Sequence, residues 1–174
     1  MSSTVWTTRG CYRPGFLARQ GDGVAFPLVD VVEFEQLALI HLLATGFMMG
    51  LIWTIHAVHY PLFAFVSEPY EPFQSEHMRR ITLLLVVPWG AEVITALGLL
   101  LTADAGAQRT WSLVGGVLIV MIVAVTGLLA APAHGRLLER FDAEEHRHLM
   151  RVDLLRTLLW TLRGGVALIL AWIA

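Results

Sequence analysis

Long apolar stretches alternate along the chain with shorter segments rich in charged and turn-forming residues. Four stretches reach, or nearly reach, the roughly 20 residues that a helix needs to cross about 30 Å of hydrocarbon. They cover residues 37–58, 81–103, 111–133 and 158–174. Because these runs are unbroken, they lack the alternation of a transmembrane barrel, and only helices satisfy the backbone in lipid. The pattern predicts an all-α fold, an integral membrane four-helix bundle.

The composition agrees with this prediction. Of the 174 residues, 56% are hydrophobic and 15% are charged, which is too apolar for an ordinary soluble domain. We expect residues 31–174 to form the bundle. Residues 1–30 contain scattered arginines, glycines and prolines but no apolar core of a signal peptide, so they are predicted to form an extramembrane N-terminal arm.

Histidines and arginines are distributed unequally between the two sides that four spans define. The loops between spans one and two and between spans three and four share one side. That side holds His56, His59, His77, His134, His146 and His148, with Arg79, Arg80, Arg136, Arg140, Arg147, Arg151 and Arg156. Near the span ends of the other side lie Arg19 and Arg109. The positive-inside rule therefore predicts that the histidine side is cytoplasmic and that both termini lie outside the cytoplasm.

A carboxylate lies deep inside the second apolar stretch. Counting from Ile81 at 1.5 Å per residue puts Glu92 about 17 Å into the membrane, near its midplane. A charge there costs about 2.5 to 3.5 kcal/mol on insertion scales, so it needs a partner, a metal ion or a proton. Arg163 in the fourth stretch is the expected counter-ion, because its long side chain allows the guanidinium to reach the Glu92 carboxylate. The pair either takes part in chemistry or serves as a structural clamp, and a permanently protonated Glu92 is the other alternative.

Four histidines, one near an end of each helix, make up a second candidate site. They are His59, His77, His134 and His146. Imidazole is the commonest metal-ligating side chain, and bundle cores place His and Glu from facing helices around metal ions. The pattern predicts bound iron or copper, with haem held by two of these rings as an alternative. No ligand spacing such as His-Glu-x-x-His occurs, so ordinary interfacial histidines are the competing interpretation. His56 and His148 are expected to be surface groups.

Local signals predict where the helices begin and bend. Asp142 followed by Glu145 resembles a capping pair, so the last helix should start near Asp142 and continue to the C-terminus. Ser75 is the expected N-cap of a helix that begins at Glu76. Pro61 removes a backbone donor, which predicts a bent end of the first span.

The arginine-rich side has two interpretations. It either binds an anionic lipid headgroup, a carboxylate or a phosphate, or it serves only as the topology signal already described. Nucleic acid is not an expected partner, because the arginines are interleaved with acidic residues and lack an aromatic platform.

Several motifs carry a resemblance to known membrane proteins. They are Trp53 with His59-Tyr60-Pro61-Leu62-Phe63, His77-x-Arg79-Arg80, Pro88 with Glu92, His134, Phe141-Asp142 with His146-Arg147, and Arg156-Thr157-x-x-Trp160-x-x-Arg163. In these motifs residues 37–174 resemble a set of small, mostly uncharacterised four-helix bacterial membrane proteins. The last block is also distantly similar to the anthrone-oxygenase-like family, whose named members oxidise polycyclic aromatic substrates. The chain departs from that family in having Asp153 where an amide is expected.

Together these features predict a metal-capable pocket in a protein of the bacterial inner membrane. One predicted function is an oxidoreductase or oxygenase for a hydrophobic small molecule, in which the four histidines hold iron or copper. In it Glu92 transfers a proton, and Arg156 or Arg163 stabilises an anionic intermediate. The alternative is a non-catalytic accessory or anchor subunit of a larger membrane complex that binds lipid, quinone or haem. The expected assembly is either a homo-oligomer or such a larger complex. A proton transporter is a third possibility and would need oligomerisation.

Overall fold

A computed structural model describes residues 33–66, 69–138 and 140–174. Within these ranges the chain is helical and has no strand. Four helices are long and apolar enough to cross a membrane: Phe34–Phe65, Tyr70–Thr102, Ala107–Arg136 and Ala143–Trp172. We refer to them as the first to fourth spans. The predicted all-α membrane bundle is confirmed, while the predicted arm, residues 1–30, lies outside the described residues.

The spans pack as a ring of four neighbours. The first span contacts the second and the fourth, and the third span contacts the same two. Of the four neighbouring pairs, the second and third spans have the least extensive contact. The bundle is therefore loosest between these two spans.

Large apolar side chains cover the outer surface of the bundle. Leu43, Val87 and Leu128 are 75%, 75% and 74% exposed, and Trp172 is 88% exposed. Exposed apolar area of this extent is unfavourable in water but stable against lipid chains. The outer surface thus supports the same membrane assignment as the span lengths.

The first and third spans each change their helical form before a proline. Helix α1 (Phe34–Thr54) is followed by a π-helical turn over Ile55–His59 and a 3-10 turn over Pro61–Phe65. The third span consists of α3 (Ala107–Val125), a π-helical turn over Thr126–Ala130 and the short α4 (Ala131–Arg136). Proline lacks the N–H that would continue the α-helical ladder, and the helical form changes around Pro61 as this predicts. The predicted bend of the helix axis stays a prediction. Such π-helical turns are often found at functional sites.

The second span is one helix, α2 (Tyr70–Thr102), which continues through Pro88. Ser75 lies inside α2, so the predicted helix start at Glu76 is wrong by more than a turn. The reason is that Pro72 falls in the first turn of α2, where a backbone N–H has no helical partner in any case.

The fourth span is a single helix, α5 (Ala143–Trp172), which begins as the sequence predicts. The Asp142 carboxylate accepts hydrogen bonds from the backbone N–H groups of Glu145 and Glu144, at 2.8 and 2.9 Å. These N–H groups, that of Glu145 first, hold the pKa of the Asp142 carboxyl below its usual range. The predicted N-cap is confirmed.

Two polar layers interrupt the apolar core along the bundle axis. The deep cluster contains His41, Thr45, Glu92, Thr95 and Arg163, and all five side chains are buried. It lies between an apolar layer around Trp160 and another around Leu170. The loop-side cluster lies nearer the end of the bundle where the first span connects to the second and the third to the fourth. It contains His56, His59, His77, His134, Asp153 and Arg156. The two clusters are the candidate sites.

Candidate functional site

Glu92 and Arg163 form an ion pair in the deep cluster, as the sequence predicts. Arg163 Nε donates to Glu92 Oε1 over 2.5 Å, and both side chains are fully buried. Thr45 Oγ1 donates to the same oxygen over 2.8 Å. The other carboxylate oxygen, Oε2, has no hydrogen-bond partner among the described residues.

The Arg163 guanidinium joins all four spans. Its NH1 donates to the backbone carbonyl of Gly115 in the third span over 2.5 Å, and its NH2 lies 3.2 Å from His41 Nε2 in the first span. With Glu92 in the second span, each nitrogen of the guanidinium contacts a different neighbouring span. This arrangement has the geometry of a structural clamp.

His41 completes the deep cluster, and its contacts determine which ring nitrogen carries the proton. Thr95 Oγ1 donates its own proton to the backbone carbonyl of Ala91 over 2.8 Å. His41 Nδ1, 2.8 Å from that hydroxyl, must therefore donate to it. In the neutral ring Nε2 is then an acceptor, which suits the NH2 donor of Arg163. Sequence analysis missed His41, although its spacing of four residues from Thr45 places two polar groups on one face of an apolar helix.

In the loop-side cluster, the π-helical turn of the first span directs two histidines to different neighbours. His59 Nε2 lies 2.9 Å from His77 Nδ1 in the second span. The centroid of the His77 ring is 5.6 Å from that of His134 in the third span. Three of the four histidines predicted to bind metal therefore share one cluster.

His134 has a hydrogen-bond contact at each ring nitrogen. Its Nδ1 lies 3.2 Å from the Gln74 amide nitrogen, and its Nε2 lies 2.8 Å from the Tyr60 hydroxyl. An amide nitrogen only donates, so Nδ1 accepts and Nε2 of the neutral ring donates to Tyr60. The Tyr60 hydroxyl then accepts from His134, and its own proton is not donated to that ring. Neither Tyr60 nor Gln74 was predicted to belong to a site.

His146 lies apart from the other three predicted ligands. Its Nε2 donates to the backbone carbonyl of Tyr60 over 2.8 Å. The ring of Phe63 packs against both His146 and His77, with centroid distances of 6.3 and 5.0 Å. Among the described residues, no group of three or more His, Cys, Asp or Glu side chains is arranged to hold a metal ion. The metal role of His59, His77, His134 and His146 stays a prediction, as does the haem alternative.

His56 is not the surface group that the sequence suggested. Its side chain is only 18% exposed, and its Nδ1 lies 3.1 Å from Oδ2 of Asp153, which is fully buried. The other carboxylate oxygen of Asp153 is 3.4 Å from NH1 of Arg156. The difference arises because the π-helical turn rotates His56 toward the fourth span. These three residues form a polar triad, the His56 triad, within the loop-side cluster.

A cavity of about 300 Å³ opens where the second and third spans are loosest. Its walls are mostly apolar. They comprise Ile55, Met78, Ile81, Thr82, Leu85, Val86, Trp89, Thr126, Ala130 and Ala131. Val86 and Ala131 are exposed on the outside of the bundle, so the cavity has a mouth toward the lipid. Besides Thr82 and Thr126, the polar lining residues are Tyr60, His134 and Arg156. Neither the Nε of Arg156 nor the Oγ1 of Thr126 has a hydrogen-bond partner among the described residues.

The three predicted catalytic residues are divided between the cavity and the deep cluster. Arg156 lines this cavity, whereas Glu92 and Arg163 are not among its described lining residues. A catalytic role for the three residues stays a prediction. Arg156 faces the cavity, whereas Glu92 and Arg163 form a pair that the four spans enclose.

Exposed arginines near the loops are paired with acidic side chains. Arg79 and Arg80 both contact Glu76, at 2.8 and 2.6 Å, and Arg136 contacts Glu145 at 2.5 Å. Exposed pairs of this kind contribute little to stability. Because these arginines have acidic partners, they support the topology interpretation better than a dedicated anion site, and the lipid-headgroup contact stays a prediction.

Comparisons with protein-family models, with curated proteins and with solved structures give no match for this chain. The assignment of a function therefore depends on the geometry of the two clusters and the cavity.

Proposed function

We propose that this membrane protein binds a hydrophobic small molecule in the cavity between its second and third spans. Tyr60, His134 and Arg156 hold the polar end of that molecule. The observation that carries the proposal is an apolar cavity of about 300 Å³ with a buried guanidinium in its wall. Sites for small molecules are usually of about this volume or larger, and are lined by apolar side chains with a few convergent polar groups.

Arg156 supplies the second argument for a ligand. A buried cation is costly unless it is paired and hydrogen-bonded. Asp153 provides one contact of 3.4 Å to NH1, which is long for a charge-assisted hydrogen bond. The Nε donor has no partner in the described part of the chain. An acceptor on the ligand would satisfy this donor in a wall that is mostly apolar.

The position of the mouth favours entry from the bilayer. Residues Met78 to Trp89 of the second span line the cavity, and at 1.5 Å per residue they extend over about 16 Å of helix. A ligand whose tail lies along this helix reaches the polar end without crossing water. The excess of arginines on the same side places this site in the cytoplasmic leaflet of the inner membrane under our proposal.

Two kinds of protein need this binding step. One is an oxidoreductase that acts on a hydrophobic small molecule, and the other is a subunit that holds a lipid or a quinone for a larger complex. Under the proposal Arg156 contacts the ligand in either case, and Glu92 with Arg163 holds the four spans together around it. The proposal covers the shared step of binding.

Tryptophan quenching tests the proposal directly, because Trp89 lines the cavity. The full-length protein in phosphatidylcholine nanodiscs is titrated with a long-chain fatty acid and, separately, with its methyl ester. Both probes are brominated at mid-chain, since bromine quenches tryptophan on contact. The Trp89 signal is the difference between wild type and Trp89→Phe. We expect this signal to saturate with at least one probe.

Two matched variants distinguish the cavity from the general lipid surface. Ala131→Phe fills the mouth, and a steric penalty of about 1.4 kcal/mol or more weakens binding about tenfold or more. Ala124→Phe makes the same change at an exposed position of the third span that is not among the cavity's lining residues, and we expect it to leave the affinity unchanged. Quenching of Trp89 that does not saturate, or that Ala131→Phe leaves intact, would refute the proposed function.

A further inference from the structure

The polar end of the cavity offers hydrogen-bond donors to a ligand. The Tyr60 hydroxyl accepts from His134, so its own proton remains to be donated. Arg156 has only donors, and its Nε is buried without a partner among the described residues. Two donors on one wall are matched by two acceptor oxygens on one head group. A carboxylate has this arrangement, and its hydrogen bonds to a guanidinium are among the strongest in proteins.

The charges of the His56 triad determine what happens when an anion arrives. Asp153 is fully buried and is shared between His56 at 3.1 Å and Arg156 at 3.4 Å. When His56 is neutral, the negative charge of Asp153 and the positive charge of Arg156 cancel. An anionic ligand would then leave one uncompensated negative charge in a buried site, which is strongly unfavourable. A proton on His56 removes this excess, because Asp153 then pairs with the imidazolium and Arg156 pairs with the ligand.

We propose that the cavity takes a single-chain amphiphile with a carboxylate head held by Arg156 and Tyr60, and that His56 takes up one proton as this anion binds. The inference rests on the proposed function, since it names the chemistry of the ligand in the same cavity. The proton comes from solvent and goes to Nε2 of His56, because Nδ1 already faces Asp153. A volume of about 300 Å³ suits one chain better than the two chains of a phospholipid.

His56 is the member of the triad that is suited to exchange the proton. Its side chain is 18% exposed, against 0% for Asp153, so a proton from solvent can reach its ring. The charged groups that face it are Asp153 and Arg156 of the fourth span. On its own span the next titratable residue is His59, which contacts His77 instead.

The experiment compares the brominated fatty acid with its methyl ester, which has the same tail and no charge. Affinity is measured by the Trp89 signal, and proton uptake is measured with a pH-indicator dye in weak buffer at about pH 7.5, where a free imidazole is mostly neutral. The uptake that belongs to His56 is the difference between wild type and His56→Gln, so any proton exchanged by the probe itself cancels. His148→Gln is the matched control, a half-buried histidine outside the triad.

We expect the acid to bind at least about tenfold more tightly than the ester, with about one proton taken up per bound acid. His56→Gln should abolish that uptake and lower the affinity for the acid about tenfold, while the affinity for the ester stays unchanged. Asp153→Asn should raise the affinity for the acid and remove the proton uptake, because no carboxylate of the protein then competes for Arg156. A variant that merely damaged the fold would not gain affinity.

Three results would overturn the inference while leaving the proposed function intact. The first is equal affinity for acid and ester, and the second is the same proton exchange on binding of the acid in wild type and His56→Gln. The third is displacement of the acid by phosphatidylglycerol in the nanodisc, which would assign the cavity to a two-chain lipid. Saturable binding of neither probe would instead refute the proposed function and this inference with it.

Discussion

Removing one partner of the buried Glu92–Arg163 pair should destabilise the bundle far more than an ordinary hydrogen-bond deletion. In Glu92→Gln the guanidinium keeps its charge, because arginine does not lose its proton in proteins. It would then lie fully buried without a carboxylate. Breaking a buried pair from one side costs about 3 to 5 kcal/mol. A single interhelical hydrogen bond inside a membrane averages only about 0.6 kcal/mol. The loss of unfolding free energy expected for a charged clamp is therefore several times that expected for an ordinary hydrogen bond.

Arg163→Met should destabilise the bundle for a different reason from Glu92→Gln. The carboxyl that remains can take up a proton and become neutral, which a guanidinium cannot do. The Gly115 carbonyl and His41 also lose a donor, at about 1 to 3 kcal/mol for buried groups left unsatisfied. The double variant Glu92→Gln with Arg163→Met contains neither charge. Its free energy of unfolding should lie near that of Arg163→Met, so the coupling should approach the whole cost of Glu92→Gln, about 3 to 5 kcal/mol.

The assay is reversible unfolding in mixed micelles by titration with SDS, followed by tryptophan fluorescence and circular dichroism. Arg109→Met is the control, because Arg109 is exposed at the start of the third span and its loss should stay within about 0.5 kcal/mol. Additive effects of the two single substitutions, or a loss in Glu92→Gln no larger than that of one hydrogen bond, would refute the reasoning that a charged clamp joins the spans.

Two further predictions concern the cap of the fourth span and the histidines. Because the pKa of Asp142 is lowered in the folded state, its ionised form contributes stability above about pH 4 that is lost as the pH falls through the folded value. Asp142→Asn should keep the cap but flatten the acid limb of the stability curve in the same SDS assay, and an unchanged limb would contradict this. For the predicted iron or copper centre, elemental analysis should find about one equivalent of metal per chain that is lost in the double variant His59→Ala with His134→Ala, whereas metal-free protein would rule the centre out.

The parts of the fold that were predictable from sequence depend on local rules. Span length and hydropathy identify the four helices, and the Asp142 cap follows from the residue types that satisfy free N–H groups. The pairing of Glu92 with Arg163 follows from depth, since a carboxylate near the midplane has few other ways to be stabilised. The error at Ser75 has a similar origin, because a serine cap signal competes with a proline that suits the first turn equally well.

The rest could not be predicted, because it depends on the local rotation of helices. A π-helical turn inserts one residue into the helical ladder and changes the direction of each side chain beyond it. In the first span this change sends His56 to the fourth span and His59 to the second, although the two are one turn apart in sequence. The cavity depends in the same way on the loose contact between the second and third spans. No pattern in a single sequence reports these angles.

The two polar layers differ in how their cations are satisfied, and this difference assigns their roles. Each nitrogen of Arg163 has a partner, one from each neighbouring span, within a fully buried cluster. A ligand there would have to replace contacts that hold the bundle together. Arg156 has a long contact to Asp153, lies beside the Tyr60 hydroxyl and keeps a buried Nε donor without a partner among the described residues, in the wall of a cavity with a lipid-facing mouth. A ligand at Arg156 can use this Nε donor, and the one contact it competes with lies within the fourth span and does not join two spans. Binding therefore costs less at the loop-side cluster than at the deep one.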